Sequence, residues 1–72
     1  MALSLAEADA PHEYVVESVD GSAIRELLAL GFVPGTRVRV VRRSRGHVLV
    51  AVGDARYSLG DEVARSVRVR RC

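Results

Sequence analysis

The stretch LLALGFVPGTRVRVV, residues 27–41, decides how the chain is read. It opens as the end of an apolar helix, meets Gly31 and Gly35 in quick succession, and leaves as an alternation of Arg and Val. A helix that ends at Leu30 needs a left-handed residue next, and Gly31 takes that conformation without a Cβ penalty. Phe32 then falls where such a cap returns a hydrophobic contact to Leu27. Pro34 presets φ at the first corner of a turn, and Gly35 permits the positive φ that a type II turn requires at the second. The chain is thus turned twice and delivered into a strand. There Val38 and Val40 share one face and Arg37 and Arg39 the other.

Outward from this stretch the pattern is of short elements. Residues 13–19, EYVVESV, are rich in β-formers and are closed by Asp20-Gly21. Asp20 is placed to cap the helix, with Val19 and Ile24 at staple positions; Ser22 is the alternative cap. Ile24, Leu27, Leu28 and Leu30 form an apolar helix face, while Arg25 and Glu26 face water. Downstream, Ser44-Arg45-Gly46 makes a hairpin bend, and Val48, Val50 and Val52 form the next inward face. Gly53-Asp54 turns again into a short strand over 56–59. Gly60-Asp61-Glu62 suggests a single helical turn through Ala64. Val67 and Val69 alternate with Arg68 and Arg70 in a last strand. The expectation is a mostly β fold of about five strands, a small barrel or sandwich, with one α-helix after the first strand and a helical turn before the last. Residues 1–12 read as a loose lead-in, with Leu3 and Leu5 pinned on the body, and residues 13–72 as the domain.

A chain of 72 residues holds one domain, near the lower end of what folds without staples. Its single cysteine, Cys72, cannot bridge to another in the chain, so the core must suffice. No apolar run approaches the ~20 residues of a membrane span. The opening MALSLAEADA carries acids where a signal peptide starts positive and lacks its long apolar centre, which points to a cytoplasmic protein. All eleven basic residues are Arg. Six of the nine acids precede Leu27 and nine of the arginines lie from Arg39 onward, so an acidic first half precedes a basic second half.

No catalytic constellation is present. A phosphate-binding loop is missing, as is a nucleophile with a base in a rigid frame, so the chain is not expected to be an enzyme. The soft metal ligands His12, His47 and Cys72 are scattered, and no metal or cofactor is expected. Arg42, Arg43 and Arg45 are a basic cluster that could meet phosphates, or a hairpin whose charges guard a strand edge. With Tyr14, Phe32 and Tyr57 the only aromatics and no Trp, base stacking and proline-peptide recognition are both disfavoured.

Residues 21–36, GSAIRELLALGFVPGT, resemble the FeoA family pattern, in which a helix ending Leu-x-x-Leu-Gly is followed by an apolar pair, Pro-Gly-Thr and a Val-rich strand. Tyr57-Ser58-Leu59, the turn at Glu62-Val63-Ala64 and the closing Val67-x-Val69 are also FeoA-like, so the likeness spans roughly residues 13–70. The resemblance implies an SH3-like β-barrel and a small cytoplasmic accessory of the membrane ferrous-iron transporter FeoB. Two loops depart from the pattern: the hairpin at 44–47 is short and lacks Pro, and the first strand follows Pro11-His12. The segment most like the family sets a charge beside apolar residues at a rigid turn. Arg25, Leu28, Phe32 and Val33 are therefore the expected partner contacts, held by the turn residues Gly31, Pro34 and Gly35. Neither nucleic-acid binding nor insertion into a membrane is expected, and a weak homo-oligomer stays open. The alternatives are a regulatory module of the kind that ends metal-dependent repressors, and a small basic nucleic-acid-binding barrel.

Overall fold

Both glycine turns form as their sequence requires. In the computed structural model, which describes residues 3–72, Gly31 has φ 111° and Gly35 φ 94°. The amide of Phe32 donates to the Leu27 carbonyl at 3.0 Å and that of Gly31 to the Leu28 carbonyl at 3.1 Å, the two bonds of a Schellman cap. The Thr36 amide then closes the Val33–Thr36 turn on the Val33 carbonyl at 2.9 Å. The same turn is tied to the sheet, because the Gly35 amide donates to the Val16 carbonyl at 2.8 Å.

The elements run β1 (Leu3–Ser4), β2 (His12–Val19), α1 (Ile24–Leu30), β3 (Arg37–Ser44), β4 (His47–Val52), β5 (Ala55–Gly60), α2 (Asp61–Ala64) and β6 (Val67–Arg71). Every ladder is antiparallel, and the six strands form one sheet in the order β1-β6-β2-β3-β4-β5. The mostly β expectation holds, with six strands rather than about five. β1 and β5 are the ends of this order, and no ladder among the described residues joins them. Its inner face carries Val16, Val38, Val40, Val48, Val50, Val67 and Val69, all essentially inaccessible to solvent. Alternation along each strand puts these on one side, and burying them is the main force that closes the fold.

Three expectations are corrected. The first is the looseness of the lead-in, of which residues 1–2 lie outside the described residues; Leu3 and Leu5 do pack on the body as expected, but so does more of the segment. Leu3–Ser4 pairs with β6, Leu5 and Ala8 are fully buried, and His12 already belongs to β2. Second, Asp20 does not cap α1. Its amide donates to the Ser66 carbonyl at 2.9 Å, which keeps it at the end of the β2–β6 ladder. The N-cap is Ala23, without a side-chain bond, and the Gly21 carbonyl accepts from the Ile24 amide at 3.3 Å. Third, the helix does not bury a broad face. Leu27 is its only buried residue, and Ile24, Leu28 and Leu30 stand exposed. A helix of two turns on so small a sheet touches it along one line.

A bulge in the β3–β4 ladder decides where the hairpin arginines go. Val40 opposes Val50, but the next pair is Arg42 with Leu49, so Val41 is the extra residue. Side-chain parity flips there. Arg42 stays on the outer side, and Arg43 opposite the buried Val48 turns inward. Its guanidinium reaches the lead-in, where Nη1 donates to the carbonyls of Leu5 at 3.1 Å and Ala8 at 2.9 Å. Nη2 donates to the carbonyl of Ala6. Arg43, read from sequence as one of three hairpin arginines that could meet phosphates or guard a strand edge, is a half-buried clamp on the lead-in.

Candidate functional site

Among the described residues, the large apolar side chains left exposed are Ile24, Leu28, Leu30 and Val33, at 36%, 40%, 39% and 45% of their full exposure. All four lie in α1 or the turn that leaves it. Ile24 and Leu28 are four apart and share a helix face, and exposed Arg25 is three before Leu28 on the same side. Val33 stands at the start of the Pro34-Gly35 turn, itself fixed by its bond to Val16. The result is an apolar ridge of Ile24 and Leu28 edged by a cation, while Leu30 stands on the far flank of the buried Leu27. A groove lined by Gly21, Ser22, Ala23, Glu62, Val63 and Ser66 runs beside the start of α1.

The expected contact residues divide. Arg25, Leu28 and Val33 are each exposed. Phe32 is not. It is fully buried, with its ring centroid 6.0 Å from that of Tyr57, and belongs to the core. The Schellman bond that fixes the Phe32 amide also turns its side chain inward, toward Leu27. Sequence reasoning missed Ile24 and Leu30 as surface residues, because helical periodicity marks an apolar face without saying how much of it is covered.

Metal ligands do not converge. Among the described residues no three of His, Cys, Asp and Glu gather into a site. His12 has its Nδ1 3.3 Å from Nη2 of Arg71, a cationic neighbour that disfavours a cation. A cleft of about 360 Å³ is lined by Ser4, Ala6, Glu7, Asp61, Arg65 and Arg68. Two carboxylates and two guanidiniums share it, so it favours neither a free cation nor a free anion. Its Glu7 carboxylate is already engaged by the Ser4 amide at 3.0 Å.

Comparison with known proteins places the chain. A family model for the FeoA domain matches residues 3–71. The chain belongs to the FeoA family. FeoA of Stenotrophomonas maltophilia, solved in complex with zinc, is 36% identical over 93% of this chain and 88% of its own, with a TM-score of 0.82. That protein is described as a prokaryotic SH3 domain protein and a candidate ferrous iron transport activating factor. An iron uptake regulatory protein (FeoA) is 26% identical and matches 100% of this chain and 99% of its own at a TM-score of 0.90. A manganese-dependent transcriptional repressor matches 99% of this chain at a TM-score of 0.88 and 22% identity. The match spans 42% of the repressor, and this likeness shows a shared fold. No curated protein matches the chain by sequence. The FeoA match begins at residue 3, so β1 and the clamped lead-in are part of the FeoA domain here.

Proposed function

We propose that this FeoA protein is a non-enzymatic accessory of ferrous iron uptake that binds the cytoplasmic part of FeoB and modulates it. The observation that carries this reading is the exposure of Ile24 and Leu28 on one face of α1, beside Arg25, with Val33 exposed in the turn that leaves the helix. An apolar ridge edged by charge suits a protein partner. The two turns hold the ridge in place before binding, so little ordering entropy opposes association. Membership of the FeoA family supports ferrous iron transport as the setting. No helix among the described residues is long and apolar enough to cross a membrane.

The test is retention of the protein by detergent-solubilised membranes that contain FeoB, compared with membranes that lack it. Retention that depends on the transporter supports the role. If neither membrane fractions nor purified FeoB retain the protein, the accessory role fails and the repressor-type reading takes its place. The repressor's shared fold supports that second reading at the level of architecture alone.

A further inference from the structure

The outer face of β3–β4–β5 carries a second surface, unlike the ridge on α1. Arg37 and Arg39 point outward from β3, and after the bulge Arg42 does so again. Arg39 lies opposite Ala51, and Ala51 opposite Arg56, so one row across three strands reads Arg-Ala-Arg. The next row reads Arg42, Leu49, Ser58. Standard sheet spacing sets Arg37 and Arg39 about 7 Å apart along the strand, and Arg39 and Arg56 about 10 Å apart across it. All four arginines are exposed. Only Arg37 has an acidic partner among them, Glu13 at 3.6 Å, and that pair is itself in water. Arg39, Arg42 and Arg56 enter no ion pair recorded among the described residues. With Glu13 counted, the face carries +3 in a chain whose formal total is +2, so the rest of the molecule sums to −1.

We infer that this arginine face rests on the anionic headgroups of a lipid bilayer while α1 holds the protein partner. The inference builds on the reading above, in which the chain works beside a membrane transporter. The charge is spread in two dimensions over a sheet face, which matches a plane of phosphates better than a single strand of them. Ala51, Leu49 and Ser58 between the arginines offer no ring on which a base could stack. The chain's aromatics are turned away: Tyr14 and Phe32 are buried, and Tyr57 packs on the core. Leu27 docks α1 on the inner side of the sheet, so the ridge and the arginine face lie on different sides and can be occupied together. Each surface arginine near an anionic leaflet is worth about fivefold in binding, so three together contribute about a hundredfold. This is a weak attachment that salt screens.

The experiment is co-sedimentation of the intact protein with vesicles of phosphatidylethanolamine and phosphatidylglycerol, and with neutral phosphatidylcholine vesicles. The wild type should sediment with the anionic vesicles alone, and high salt should release it. The triple variant Arg39→Gln, Arg42→Gln, Arg56→Gln should lose this binding about a hundredfold yet keep its melting temperature and its retention by solubilised FeoB. The matching triple Arg→Lys variant should keep vesicle binding, because a diffuse surface needs charge and not a guanidinium fork. Equal sedimentation with neutral vesicles, or none with either, overturns the inference. So does a folded Gln variant that loses the solubilised transporter, which makes the face a protein contact. Tight binding to an oligonucleotide that anionic vesicles cannot displace makes it a nucleic-acid surface. If FeoB fails to retain the wild type while anionic vesicles do, the transporter reading falls and the lipid surface stands.

Discussion

The guanidinium of Arg43 donates to the carbonyl oxygen of Ala8 at 2.9 Å, across 35 positions of sequence. The same group serves the carbonyls of Leu5 and Ala6, so one side chain gathers three backbone acceptors of the lead-in. Tyr14 adds a second tie, its hydroxyl accepting from the Asp9 amide at 2.9 Å. The lead-in has little regular pairing of its own, because β1 is two residues long. Its order therefore depends on these side chains and on the burial of Leu5 and Ala8.

Arg43→Ala should cost about 2–3 kcal/mol, since charge-assisted hydrogen bonds are lost and half-buried carbonyls are left to find water. For a domain of this size that is a fall of roughly 8–24 °C in melting temperature. Arg43→Lys should recover less than half, because an ammonium cannot span three carbonyls in a fork. Hydrogen exchange should quicken first at the amides of Leu5 and Ala8, which bond to Val67 and Leu5 carbonyls. An unchanged melting curve for Arg43→Ala would show that the clamp contributes nothing.

The two turn glycines should not respond equally. Both have positive φ, where an L side chain is strained by about 1–2 kcal/mol. A Cβ on Gly35 meets nothing within 4 Å, whereas one on Gly31 comes to 3.1 Å from Cγ1 of Val52. Gly35→Ala should thus show the backbone cost alone. Gly31→Ala should cost about 1 kcal/mol more, as the core side chain must shift. Equal denaturation midpoints for the two would sink the distinction.

Much of the fold is legible along the chain, and the reason is local. Gly31, Pro34, Gly35 and the Val alternation act within a few residues, where sterics and pleat allow few outcomes. What sequence does not reveal is set by non-local parity and area. The bulge at Val41 exchanges the faces of Arg42 and Arg43, and nothing in RVVRRS marks which valine is extra. The exposure of Ile24, Leu28 and Leu30 follows from how little sheet lies under α1. The burial of Phe32 has a related reason: being near the surface turn in sequence does not put a side chain on the surface. The proposed contacts Arg25, Leu28 and Val33 were nameable from the family pattern, while the two-dimensional arginine face required the strand register.

The dispersal of His12, His47 and Cys72 leads to a negative result in titration. Calorimetry with zinc or ferrous ion under reducing conditions should show no stoichiometric site of sub-micromolar affinity. His47 is exposed at the β3–β4 hairpin, and His12 is beside Arg71. A tight site that disappears in His47→Ala would contradict this, and would put a metal at the hairpin.

The ridge on α1 and the core beneath it should separate cleanly by mutation. Arg25 is exposed at the edge of the ridge and enters no ion pair among the described residues, so Arg25→Glu should leave the melting temperature nearly unchanged. If α1 is the FeoB contact, the reversed charge at the edge of the ridge weakens retention by the solubilised transporter at least tenfold, because like charges juxtaposed at an interface cost more than 1 kcal/mol. Leu28→Ser should act the same way, since a side chain 40% exposed contributes little to the core. Phe32→Ala should do the opposite in kind. It empties a fully buried aromatic site and should cost about 3–5 kcal/mol of stability. Whatever binding it loses should follow the unfolded fraction and return on cooling. Arg42→Glu, on the outer face of the sheet, should leave transporter retention intact. Loss of retention in Arg42→Glu with none in Arg25→Glu would move the partner surface from the helix to the sheet.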